Sequence, residues 1–173
     1  MNLLDSFKKI SCFAFDVDGV LTDGSLLVLD DGQMVRRMNI KDGYALQLAV
    51  KKGYKLLIIS GGMSESVRSR LNKLGIEDVF LKVENKLATL EQYRKDMKLE
   101  LHEILFMGDD IPDYSVMKIA GLACAPANAA PEIRSIAHFI STSNGGEGCV
   151  REVIEKVLKI NGHWELETDV RSR

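Results

Sequence analysis

Short apolar runs alternate along the chain with stretches whose apolar residues recur at helical spacing. Cys12–Phe15, Tyr54–Ile59, Val79–Val83, Ile104–Met107 and Leu122–Ala125 read as buried strands, and His138–Ile140 is a weaker candidate. Apolar runs of this length, without polar alternation, are the pattern of parallel strands covered on both faces. Between them, Val67, Leu71 and Leu74 recur at i, i+4, i+7, with Gly75 as a C-terminal stop. Val150, Val153, Ile154, Val157 and Leu158 form a stripe on a last helix, and Leu87, Leu90, Tyr93 and Met97 form a thinner one. The β-α-β-α order predicts an α/β fold: a three-layer, Rossmann-like, doubly wound parallel sheet. Its 173 residues are expected to make one domain, residues 1–173.

One stretch breaks the alternation. Ser25–Leu29 and Gln33–Met38 flank Asp30-Asp31-Gly32, and Asp-Gly between two extended runs signals a β-hairpin. A flap over about residues 25–38 is therefore predicted after the first strand. The polar tail, about residues 162–173, is expected to be mobile.

Composition narrows the class. With 46% apolar and 28% charged residues the chain can bury a full core and remain soluble. Lys and Arg number 23 against 25 Asp and Glu, a net charge of −2, so no general attraction to nucleic acid or an anionic membrane is expected. An anionic substrate must then be held by a local site. No segment approaches the roughly 18 apolar residues of a membrane span, and the N-terminus does not read as a secretory signal. Cys12, Cys124 and Cys149 lie far apart, as do the three histidines, which suits reduced thiols and argues against a zinc set. A cytoplasmic protein is the expectation.

The candidate chemistry sits at strand ends. In Phe15-Asp16-Val17-Asp18-Gly19 two acids directly follow a strand, and alternation puts both on one side of the chain. In open α/β sheets the carboxyl edge is where ligands bind. A plain helix cap or turn would also use Asp and Gly. A second acidic cluster, Gly108-Asp109-Asp110-Ile111-Pro112-Asp113, follows another strand; Asp113 alone could be a helix-start acid. Together the two clusters make an oxygen-lined site of the kind Mg²⁺ prefers. Ser60-Gly61-Gly62 supplies a hydroxyl and backbone N–H groups before a helix, a phosphate cradle or a simple Gly-rich turn. Asn85-Lys86 opens the next helix, where a lysine is electrostatically disfavoured unless its charge is used.

The set Asp16 to Gly24 (DVDGVLTDG), Ile59-Ser60-Gly61, Asn85-Lys86 and Gly108 to Asp113 (GDDIPD), in this order, resembles the haloacid dehalogenase-like phosphohydrolases. The likeness spans about residues 10 to 160. A finer similarity is to phosphatases of 3-deoxy-D-manno-octulosonate (KDO) 8-phosphate. It rests on Thr22-Asp23-Gly24, the hairpin, Lys41-Asp42-Gly43-Tyr44, and Gly145-Gly146-Glu147-Gly148 leading to Val150-Arg151.

The resemblance implies a fold without a separate cap domain. It implies Asp16 as nucleophile, forming an aspartyl phosphate, and Asp18 as general acid and then base. Mg²⁺ would be held by Asp16, the Asp18 backbone carbonyl and Asp109, while Asp110 or Asp113 would orient metal waters or Lys86. Ser60, Gly61 and Lys86 would hold the transferring oxygens, and Gly62, Asn85, Thr22, Asp42, Tyr44 and Glu147 join as phosphate- or substrate-binding candidates. Many relatives carry an arginine at the position of Gly62, so a contact to the sugar acid would be either lost or supplied elsewhere, for example by Arg68 or Arg151. The implied reaction is hydrolysis of the 8-phosphate in lipopolysaccharide inner-core synthesis. The same motifs also suit a nine-carbon sugar acid 9-phosphate, and a non-catalytic oligomerisation module is the alternative from another class. The partners implied are a small-molecule sugar-acid phosphate and three further copies of the chain in a homotetramer. The apolar hairpin residues Leu26, Val28, Met34 and Val35 also favour such an assembly.

Overall fold

The apolar runs become a parallel sheet whose two faces are sorted by strict alternation. A computed structural model of the chain describes residues 2–170. In chain order the elements are α1 (Leu3–Lys9), β1 (Cys12–Phe15), β2 (Leu27–Val28), β3 (Met34–Val35), α2 (Ile40–Lys51), β4 (Lys55–Ile59) and α3 (Glu65–Lys73). There follow β5 (Asp78–Phe80), α4 (Lys86–Asp96), β6 (Ile104–Met107), α5 (Tyr114–Met117), β7 (Leu122–Ala125), α6 (Pro131–Ile136), β8 (Phe139–Ile140) and α7 (Cys149–Ile160). The main sheet runs β5-β4-β1-β6-β7-β8, all parallel, with β1 between β4 and β6.

Phe13, Phe15, Ile58, Leu105 and Met107 face one core, with residues of α2, α3 and α7. Cys12, Ala14, Leu57, Ile59, Ile104 and Phe106 face the other, with residues of α4, α5 and α6. Every residue of β1 and β6 is buried, which is why these strands carry no polar positions. Each such Phe or Leu contributes roughly 1.5–3 kcal/mol by leaving water. The α7 stripe is buried along its whole length, and it packs on α2, where Ala45 and Ala49 permit close approach. The α4 stripe is thinner than its spacing suggested: Leu90 and Tyr93 are buried, whereas Met97 is exposed at the C-cap.

The hairpin is present, with shorter arms than predicted. Its ladder has two pairs, Leu27↔Val35 and Val28↔Met34, and a bridge from Thr22 to Met38 closes its base. Among the described residues no third strand pairs with the ribbon. Strand β5 stops at Phe80, three residues short of the run that announced it, because Val83 N–H donates to the Ser60 carbonyl instead. Helix α1 carries no long apolar stripe; only its Phe7 is buried.

The tail is described as far as Val170 and lies along α2; residues 171–173 lie outside the described residues. His163 Nδ1 is 2.9 Å from the Tyr54 hydroxyl, Trp164 meets Tyr44 edge-on at 6.1 Å, and Lys52 pairs with Glu165 and Glu167 at 2.9 and 3.0 Å. Among the described residues, no helix is long and apolar enough to cross a membrane.

Candidate active site

The ends of β1, β4 and β6 converge because these strands are neighbours at the sheet's centre. Asp16 extends β1 by one residue: its N–H donates to the Met107 carbonyl at 3.1 Å. The chain then turns sharply through Gly19, at φ +83°. A Cβ on Gly19 would lie 2.0 Å from Asp109 Oδ2, so only glycine lets the β1 and β6 loops close on each other.

Lys86 lies at the centre of the resulting network. Asn85 caps α4 by accepting the Ala88 N–H at 2.9 Å, which sets Lys86 at the first helical position. Its Nζ is 2.9 Å from Asp16 Oδ2 and 2.6 Å from Asp113 Oδ1, with only 6% of the side chain exposed. Burial works against the ammonium charge, but Asp16 and Asp113 outweigh it and hold the Lys86 pKa above its ordinary value. The other Asp113 oxygen accepts the Asp109 N–H at 3.0 Å, so Asp113 links Lys86 to the β6 loop.

Carboxylates outnumber cations here. Burial, and next the charge of Asp113, push the Asp16 carboxyl up. Burial, then Asp113 and Asp110, raise Asp109 to about 7. Carboxylate oxygens of Asp16, Asp109 and Asp113 lie within 4.8 Å of one another. Hard oxygen donors with uncompensated negative charge are what a small divalent cation requires, so the residues fit Mg²⁺. Asp113, expected only as an orienting acid, belongs to this cluster. Asp110 lines the cleft but caps the next turn, accepting the Ile111 N–H at 2.8 Å.

Asp16, Asp18, Ser60, Gly61, Gly62, Lys86, Asp109 and Asp110 line one cleft of about 290 Å³. Ser60 Oγ accepts the Gly62 N–H at 3.1 Å, which pins the turn after β4. The Asp18 carboxylate faces a partner that sequence reasoning missed. Arg36, just beyond β3, donates from Nε to Asp18 Oδ1 at 2.7 Å and from Nη2 to Oδ2 at 3.2 Å. The available signal was period-2 alternation, which puts Arg36 on the same inward side as Met38.

The remaining candidates stand outside this cleft. Thr22 Oγ1 accepts the Gly19 and Gly24 N–H groups at 3.3 and 3.2 Å and shapes the loop from within. Asp42 is buried and accepts the Arg151 N–H at 2.8 Å, tying α2 to α7; burial raises its pKa to about 6. Tyr44 donates to the Glu167 carbonyl at 3.2 Å. The Arg151 guanidinium lies 5.6 Å from the Tyr44 ring and 5.4 Å from Trp164. Arg68 donates to the Val79 carbonyl at 2.7 Å and pairs with Glu65. Glu147 lines a separate hollow beside α7. Arg68 and Arg151 make these contacts and do not line the cleft.

The chain is similar to known proteins over most of its length. Residues 78–154 match the haloacid dehalogenase-like hydrolase family. The chain is similar to 3-deoxy-D-manno-octulosonate 8-phosphate phosphatase of Yersinia pestis, with 31% identity over 157 residues, 91% of this chain and 84% of the relative. The Escherichia coli K12 enzyme of the same name is 31% identical over 90% of this chain and 82% of its own length. Among solved structures, the Moraxella catarrhalis phosphatase in complex with magnesium, phosphate and KDO superposes with a TM-score of 0.88 at 34% identity. That match covers 91% of this chain and 90% of the other.

Proposed function

The chain belongs to the haloacid dehalogenase-like hydrolases, and on that premise we propose that it hydrolyses KDO 8-phosphate to the free sugar acid and phosphate. The observation that carries this reading is the Lys86 bridge between Asp16 and Asp113 at the end of the central strand, with Asp18, Ser60 and Asp109 around one cleft. Relatives named as phosphatases of KDO 8-phosphate span most of the chain and support the substrate class.

The residues divide the work as follows. An Asp16 oxygen attacks phosphorus, and the bond from phosphorus to the sugar oxygen breaks. Asp18 gives a proton to that leaving oxygen. Water then attacks the phosphorus of the aspartyl phosphate while Asp18 takes its proton, which frees phosphate and restores Asp16. Lys86, Ser60 and the Gly61 N–H stabilise the transferring oxygens. Asp16, Asp109 and the Asp18 backbone would hold Mg²⁺, which supplies charge neutralisation between carboxylates and a phosphate dianion. Asp113 positions Lys86.

The proposed setting is the cytoplasm, with the product feeding lipopolysaccharide inner-core synthesis. The proposed assembly is a homotetramer in which neighbouring copies cover the exposed hairpin residues Leu27, Val28, Met34 and Val35. The test is phosphate release from KDO 8-phosphate with Mg²⁺, and its loss with EDTA. Nine-carbon sugar acid 9-phosphates and an aryl phosphate are measured alongside. The expected result is highest kcat/KM on the eight-carbon substrate. Preference for a nine-carbon ester would reassign the substrate, and no turnover of any ester would favour a non-catalytic module.

A further inference from the structure

The hairpin carries a cation whose setting fits it to read a ligand's carboxylate. The Arg36 side chain is only 7% exposed, yet its guanidinium meets Asp18, a residue of the catalytic cleft, through two parallel hydrogen bonds. A guanidinium fork matched to both oxygens of one carboxylate is a geometry that a lysine cannot supply. Its neighbourhood is built around it. A Cβ on Gly62 would come within 3.1 Å of Arg36 Nη2 and 2.9 Å of Asp18 Oδ2, so the bare glycine is what leaves the fork its place. On its other side Arg36 lines a groove of about 280 Å³ between the hairpin and α3, together with Gln33, Ser64, Ser66 and Arg70. Arg36 thus stands between the cleft and a groove that mixes these polar groups with Met34, Val35, Met38 and Val67 and is large enough for part of a sugar.

Of the two arginines of this groove, Arg36 and Arg70, Arg36 is the one whose guanidinium touches a residue of the cleft. A sugar-acid phosphate brings two anionic groups. Among the described residues lining the cleft, Lys86 is the sole cation, and it is held by Asp16 and Asp113 where phosphate would be transferred. Arg68 and Arg151 are engaged elsewhere. A second anion in the cleft would otherwise face Asp16, Asp18, Asp109 and Asp110 unpaired, at a steep electrostatic cost. Exchanging the Asp18 carboxylate for a ligand carboxylate on the same fork keeps the number of charge-assisted hydrogen bonds constant.

We propose that Arg36 is the specificity-determining residue that binds the carboxylate of the substrate's sugar acid, taking it in exchange for Asp18. The inference rests on the phosphatase reading above and adds the group that selects acids over neutral sugars. The flap thereby supplies, from the hairpin, the cation that the turn after β4 lacks at Gly62.

The experiment compares the free sugar acid KDO with its C1 methyl ester as inhibitors of the Mg²⁺-loaded enzyme acting on an aryl phosphate. Wild type is expected to bind the acid at least about 30-fold more tightly than the ester, the range for losing a charged hydrogen-bond partner. In Arg36→Met that ratio should fall below about threefold, and Arg36→Lys, which keeps the charge without the fork, should lie between. A full acid preference retained in Arg36→Met overturns the inference. Should that variant not fold, a wild-type ratio in Arg36→Lys overturns it equally. Wild-type enzyme that hydrolyses the sugar-acid phosphate but treats acid and ester alike also overturns it, and leaves the phosphatase reading standing. Enzyme that hydrolyses neither phosphate ester removes that reading and the inference with it.

Discussion

The cleft and the hairpin are opposite kinds of structure. The cleft is built on strands buried on both faces, and its ionic groups are locked: Lys86 is held from two sides, and Asp113 is almost fully enclosed. The hairpin has two ladder pairs and exposes Leu27 and Val28 at 63% and 65%. Arg36 is the side chain of the hairpin that joins the two regions, through Asp18. The contrast teaches a division of labour. Charge placement to within a fraction of an ångström needs a rigid sheet edge. Recognition of the rest of a substrate can be left to a ribbon, which the proposed assembly would support.

The sharpest way to break the comparison is at its rigid end. Asp16→Asn keeps the shape of the side chain but removes the attacking charge. Single-turnover phosphate release should fall by about 10⁴-fold or more, with the fold intact by circular dichroism. Turnover within tenfold of wild type would refute the covalent route.

A smaller effect is expected at the hairpin. Val28→Asp with Val35→Asp should break the assembly, read as a drop in light-scattering mass from about four chains toward one. The kcat/KM on the sugar-acid phosphate should fall by about 30-fold, and that on a small aryl phosphate by much less. Equal losses on both substrates would mean that the hairpin supports the catalytic edge itself.

The smallest effect tests a buried acid away from both regions. Asp42 has a folded pKa raised by burial from 3.8 to about 6, so between those values the folded chain binds the proton more readily than the unfolded one. The stability gained through that proton is complete below about pH 4 and is lost as pH rises through about 6. Between pH 5 and 7.5 it amounts to about 1 kcal/mol. Denaturant titrations of Asp42→Asn should lack that part of the pH dependence; an unchanged slope would show that Asp42 is not its source.

How much of this was readable beforehand differs by residue. Asp16, Asp18, Ser60, Lys86 and Asp109 were legible because each lies within three residues after a strand or opens a helix, and a parallel sheet brings such ends to one edge whatever the details of packing. Arg68 and Arg151 looked equally suitable as carboxylate readers, since a cation on a helix shows its charge in the sequence but not its direction. The contacts of the tail left no mark in the sequence: Trp164, Glu165 and Glu167 find Tyr44 and Lys52 across 113 to 123 residues of chain.

By itself, then, the sequence determined the layers of the fold and the acids at its active edge. Those follow from hydrophobic period and from the position of polar residues relative to strand ends, both local properties. The partner of each charge was decided only in three dimensions. Arg36 meets Asp18 across 18 residues and Lys86 meets Asp113 across 27. Such pairs depend on how a hairpin leans and how two loops close over Gly19. Those angles are set by packing summed over the whole molecule, and no single segment of the chain records them.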